Sequence, residues 1–115
     1  MERENLVPCF EKKLSKTDVT GNLEIPMNAL HLPAVDNEIM NVRYRDERIW
    51  VFKAPARSDG SGRRYMTCQW RQFVRENDLV AGDIVRFSWS NADEHYHVAT
   101  VRKLRTLQLF PGAPL

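Results

Sequence analysis

Lys53, Arg57, Arg63 and Arg64 surround a small polar run, Ser58-Asp59-Gly60-Ser61-Gly62. The chain as a whole is close to neutral, +2 from 17 cations and 15 anions. Residues 61–80 nevertheless carry Arg63, Arg64, Arg71 and Arg75 against only Glu76 and Asp78. A local cationic patch on a near-neutral body is suited to attracting a polyanion. A short apolar run and then Trp70 follow the patch directly, so a polar, glycine-rich loop is anchored at its far end.

Residues suited to catalysis are scarce. No glycine-flanked serine nucleophile and no Gly-x-x-x-x-Gly-Lys phosphate loop occur. His95 and His97 stand two apart on an expected strand and so point the same way, which could hold a metal. No third ligand has recognisable spacing, so no metal site is expected. His31 lies between Leu30 and Leu32 and reads as packing, and Asp46-Glu47 read as solvated turn charge. An enzyme is not expected, nor a cofactor or a small-molecule substrate.

A length of 115 residues suits one domain with a single core. An apolar fraction of 43% fits a folded chain. The apolar runs are too short to span a membrane. The residues after Met1 lack an apolar signal-peptide core. Cys9 and Cys68 have no metal-type spacing and read as reduced thiols.

Period-2 patterning dominates. Met40, Val42 and Tyr44 share one face, and Trp50, Phe52 and Ala54 alternate with Ile49, Val51 and Lys53, so residues 38–54 read as a hairpin around "RDER". Val85, Phe87 and Trp89, then the turn "SNADE", then Tyr96, Val98 and Thr100 give a second hairpin. "LVPCFEKKL" and "NLEIP" add strands near the start. Trp70, Phe73, Val74 and Asn77 recur at helical spacing, with Thr67 as the expected N-cap and Asn77 as a left-handed stop. A second helix is expected over "PMNALHL", opening on Pro26. The expected fold is mostly β (α+β): a seven-stranded open pseudo-barrel with two short helices at its ends. The expected organisation is a lead-in over 1–5, the domain over 6–103 and a flexible tail over 104–115. The Leu-x-Leu of "LQLF" in that tail, a pattern used by short repression motifs, reads as chance.

Taken together, "CFEKKLSKTDV", "LEIPMNAL", "RIWVFK", "RRYMTCQWRQFV" and "ENDLVAGDIVRF" resemble the plant B3 DNA-binding domain family. Phe10, Lys12, Leu14, Ser15, Thr17, Asp18 and Val19 fit its first block, and Ile25 and Pro26 its second. Trp50 and Phe52 fit the third, Met66, Thr67, Trp70, Phe73 and Val74 the fourth, and Leu79, Gly82, Asp83, Val85 and Phe87 the last. The resemblance covers residues 6 to 103, in order and near the family's spacing.

The resemblance implies double-stranded DNA as partner, with other transcription regulators as further partners, and a nuclear plant regulator of transcription. It implies two loops gripping the major groove and phosphates: "SKTDVTGN" and the cationic stretch before Trp70. The implied DNA-binding residues are Lys12, Lys16, Thr17, Asn22, Arg57, Ser58, Arg63 and Arg64. Arg63 and Arg64 lead, because a guanidinium fork can make two hydrogen bonds to phosphate or guanine. Asp18 is expected to be structural. Gln69 stands where the family has Gly, Met27 where Lys or Arg is frequent, and the first loop is short, with Thr20, Gly21 and Asn22 in place of a basic residue. These departures bring the chain nearer the divergent, reproductive-tissue branch. They also motivate an alternative, a B3-like barrel acting as a protein-interaction module with weak or non-specific nucleic-acid binding.

Overall fold

The structure is a computed structural model that describes residues 6–35, 38–45 and 48–103. Seven strands and two helices run in the order β1 (Leu6–Lys13), α1 (Lys16–Thr20), β2 (Leu23–Ile25), β3 (Met40–Tyr44), β4 (Arg48–Lys53), β5 (Arg64–Cys68), α2 (Trp70–Glu76), β6 (Ile84–Ser90) and β7 (His95–Val101). The sheet order is β1-β6-β7-β3-β4-β5-β2. All neighbours are antiparallel except β3 and β7, which run parallel. The sheet curls into a nearly closed barrel, the fold class expected from the patterning. The lead-in, the Asp46-Glu47 turn and the tail with its Leu-x-Leu lie outside the described residues.

The strand faces follow the alternation. Met40, Val42, Tyr44, Trp50 and Phe52 are buried, as are Val85, Phe87, Tyr96 and Val98. Trp89, expected to share the face of Val85 and Phe87, is only partly buried and packs against Tyr96. Phe73 of α2 is the hub of the core. Its ring meets Tyr44 and Trp50 edge-on, each at 5.1 Å between centroids, and Phe52 at 5.7 Å. Such edge-to-face pairs add to the area term of burial.

The barrel's two edge strands, β1 and β2, face each other across a seam with no strand pairing. Side chains close it. Lys12 on β1 donates from Nζ to the Glu24 carbonyl on β2 at 2.7 Å. Asp18 sits between them, 1% exposed, and its carboxylate accepts from the backbone of Glu24 at 3.1 Å.

The helices differ from expectation. α1 lies in what reads as a loop. Ser15 caps it through a reciprocal box: the Ser15 hydroxyl accepts from the Asp18 backbone at 3.1 Å, and the Asp18 carboxylate accepts from the Ser15 backbone at 2.8 Å. The expected helix over 26–32 is instead a single turn, closed by Ala29 donating to the Pro26 carbonyl. The next donor, Leu30 N–H, goes to the Cys9 carbonyl on β1, and His31 takes φ 61, which ends any helix. At α2 the N-cap is Gln69, not Thr67, which belongs to β5. Asn77 has φ −107, and the left-handed stop is the next residue, Asp78, at φ 53.

Candidate nucleic-acid interface

Two segments project from this frame. The first is α1 with the turn Gly21-Asn22 behind it, and the second is the β4–β5 connection. They line one open cleft: Thr17, Thr20 and Asn22 on one wall, and Pro55, Arg57 and Tyr65 on the other. The two projecting segments therefore sit on the same side of the barrel.

The second arm is built by local hydrogen bonds. Arg57 donates its backbone N–H to the Arg63 carbonyl at 2.7 Å, which closes the loop at its base. Asp59 accepts from the Ser61 backbone at 2.9 Å, and the Ser61 hydroxyl accepts from the Arg63 backbone at 3.2 Å. Hydrogen bonds from Ser61, first from its hydroxyl and then from its backbone, hold the Asp59 carboxyl below its ordinary value. Gly60 and Gly62 both take φ 82, a left-handed conformation that glycine adopts without cost.

The expected residues separate into two groups. Lys16, Thr17, Asn22, Arg57, Ser58 and Arg63 are exposed. The Arg57 guanidinium lies 4.9 Å from the Tyr65 ring centre and 3.9 Å from Asp59. Arg63 reaches Glu24 at 3.5 Å, so it bends across from the second arm to the base of the first. Both pairs are exposed, and such pairs are weak. Thr17 shares a 3.0 Å hydrogen bond with Ser15.

Lys12 and Arg64, read as duplex contacts from the sequence, use their donors inside the fold. Lys12 stands at the seam, 3.1 Å from the Asp18 carboxylate. Arg64 donates from Nε to the Ala54 carbonyl and from Nη2 to the Pro33 carbonyl, each at 2.7 Å. Its fork thus pins the base of the second arm to the loop after β2. Asp18 is structural, as expected.

A family model of the B3 DNA binding domain matches residues 10–103. The chain belongs to that family. Solved structures agree with the assignment. An Arabidopsis FUS3–DNA complex aligns with a TM-score of 0.74 at 22% identity, over 84% of this chain and 99% of that one. The Arabidopsis thaliana transcription factor LEC2–DNA complex gives 0.68 at 21% identity, over 86% and 96%. A hypothetical Arabidopsis thaliana protein gives 0.66 at 22%, over 89% and 96%. At these identities the likeness is one of fold. No curated protein sequence matches the chain.

Within this B3 domain the Gln69 departure has a local reason. Its side-chain Oε1 accepts from the Val51 backbone at 2.9 Å, and its own N–H donates to the Val51 carbonyl at 3.1 Å. The amide thereby extends the pairing of β4 beyond β5 and fixes where α2 begins. Tyr65, absent from the expected site, forms part of the cleft wall under Arg57. Its place on β5 next to Arg64 was visible in the sequence, but its neighbour across the loop was not. Met27, which stands where the family often has a cation, is 70% exposed beside the second arm's Gly62.

Proposed function

We propose that this B3 domain binds double-stranded DNA, as the DNA-binding module of a plant nuclear regulator of transcription and not as an enzyme. Its two arms grip the duplex from the major groove. The observation that carries this reading is the shared cleft, with α1 and Gly21-Asn22 on one wall and Arg57 and Tyr65 on the other.

Lys16, Arg57 and Arg63 supply the phosphate contacts in this reading. Thr17, Asn22 and Ser58 contribute small polar groups that can donate to phosphate or base edges. Lys12 and Arg64 act from behind, holding the seam and the base of the second arm. The Arg63–Glu24 pair is exchanged for an Arg63–phosphate pair when the duplex enters, which is cheap because the existing pair is exposed. Family membership and the DNA named in the two neighbouring complexes support the choice of a nucleic acid over other polyanions.

The test is fluorescence anisotropy with a random duplex over a salt series. Each neutralised phosphate adds about 0.9 to the log–log slope, so three to five contacts give roughly −3 to −5. A folded chain that shows no duplex binding at low salt would overturn the reading. So would a preference for single strand over duplex at equal nucleotide concentration.

One observation favours a second reading, a protein-interaction module. Met27, Leu30 and Val35 are 70%, 60% and 64% exposed on the loop after β2. An apolar surface of this kind suits another transcription regulator as partner.

A further inference from the structure

The turn between β6 and β7 brings a third side chain to the histidine pair. Asp93, His95 and His97 each offer a ligand atom, and these atoms lie within 4.8 Å of one another. His97 Nε2 is 3.5 Å from the Asp93 carboxylate, and His95 Nε2 is 3.9 Å from the same oxygen. The two imidazoles stack with centroids 5.1 Å apart. His97 Nε2 is buried and has no hydrogen-bond partner among the described residues. A buried polar atom without a partner is costly, and it marks a place where something else can bind.

We infer that Asp93, His95 and His97 form a binding site for a divalent first-row transition ion, with Zn²⁺ as its most suitable occupant. Metal–nitrogen and metal–oxygen distances of about 2.0–2.1 Å in a tetrahedron set ligand atoms roughly 3.3–3.5 Å apart. The two carboxylate–imidazole spacings, 3.5 and 3.9 Å, are near that value, and no ligand pair exceeds 4.8 Å, so the side chains must rotate inward to close the site. Two imidazoles and one carboxylate suit Zn²⁺ and disfavour Mg²⁺ or Ca²⁺, which take oxygen ligands. Three protein ligands leave the fourth position to water. The strand register explains the geometry. Residues two apart on β7 point to one side, and the turn residue two before His95 folds back over them.

Arg43 opposes the ion. It lies beside His97 in the parallel pairing of β3 with β7, and its Nε donates to His95 Nε2 at 3.2 Å. Binding requires that hydrogen bond to open, so Arg43 sets the affinity. The ion would join the β6–β7 turn to β7. The site shares no residue with the cleft and does not depend on DNA binding.

The test is calorimetric titration of the folded chain with zinc sulfate, followed by NMR of the imidazole nitrogens. It uses a Cys68→Ser background, because that exposed thiol could bind the ion on its own. One Zn²⁺ per chain should bind, shifting His95 and His97 together and leaving His31 unmoved. Magnesium should produce neither effect. Asp93 is exposed, so Asp93→Asn should fold normally and lose about tenfold or more in affinity. Arg43→Met should tighten binding. Absence of saturable Zn²⁺ binding would overturn the proposal, as would binding that is equally tight in Asp93→Asn and in the double variant His95→Ala, His97→Ala.

Discussion

The indole of Trp70 donates from Nε1 to the backbone carbonyl of Asp18 at 2.9 Å, in a buried contact between residues 52 apart in the chain. It joins the first residue of α2 to the middle of α1. A five-residue helix cannot satisfy its own last carbonyls, so an outside donor is needed. Trp70 therefore both fills the core and holds the first arm in place.

Trp70→Phe keeps a ring in the core and removes that donor. A buried carbonyl left without its partner costs about 1–3 kcal/mol, which urea unfolding should show. Amide exchange at Thr17 to Gly21 should rise by more than the global loss explains, and duplex affinity should fall with it. Exchange in α1 that simply follows global stability would reduce the indole to a packing group.

Asp18 and Lys12 form the next coupling. The Asp18 carboxylate accepts from the backbones of Ser15 and Glu24 and pairs with the Lys12 ammonium. Asp18→Asn keeps the shape but turns an acceptor into a donor toward one of these groups, at a cost of about 2–3 kcal/mol. Lys12→Met should recover part of that loss in the double variant, since it removes the ammonium that Asp18→Asn leaves without a counter-charge. Urea midpoints for the four chains give the coupling energy. Lys12→Met alone should lower stability more than duplex affinity. The reverse order would place Lys12 on the phosphates.

Adjacent arginines should behave in opposite ways. Arg63 is exposed, and its one ion pair among the described residues is with the exposed Glu24 carboxylate, so Arg63→Ala should leave the urea midpoint unchanged. It should weaken duplex binding by about 1–3 kcal/mol and reduce the salt slope by about 1 if the contact is to phosphate. Arg64 bridges two carbonyls with one fork, and a lysine ammonium cannot match that geometry. Arg64→Lys should cost roughly 1–3 kcal/mol of stability while the salt slope stays the same. A stable Arg64→Lys chain with collapsed affinity would return Arg64 to the duplex.

Period-2 alternation was legible because each strand buries one face, and burial leaves its mark residue by residue. α2 was legible for the same reason, since Trp70, Phe73 and Val74 form its buried stripe. α1 was not, because its only fully buried side chain is the carboxylate of Asp18, which apolar periodicity cannot register. The Ser15-x-x-Asp18 capping box was its one written trace. Residues 26–32 erred the other way. Their apolar spacing imitates a helix, yet Met27 and Leu30 face solvent, and after one local bond the Leu30 N–H goes to Cys9 on β1, far off in sequence. The different fates of Arg63 and Arg64 depend on the carbonyls of Ala54 and Pro33, which only the fold brings near.

Burial also sets the alkaline limit of this domain. Cys9 is 4% exposed, and burial raises its thiol from an ordinary 9.0 to about 11. Burial, and then the neighbouring Cys9, raise the Tyr96 phenol from 10.0 to about 12. In both cases the fold disfavours the deprotonated form. The stabilisation is complete below the ordinary values and is lost as pH rises through the folded ones. Urea midpoints should be flat near neutrality and fall from about pH 9 upward, first through Cys9 and then through Tyr96. Cys9→Ala should remove the earlier part of that fall. Tyr96→Phe should remove the later part, at the cost of the 2.6 Å hydrogen bond to the His31 carbonyl. The same burial separates the two thiols. Near neutral pH a thiol reagent should modify exposed Cys68 quickly and reach Cys9 only as the chain unfolds, because the thiolate is the reacting form. Equal rates at both positions, or a midpoint that stays flat to about pH 11, would mean that Cys9 is not enclosed by the core.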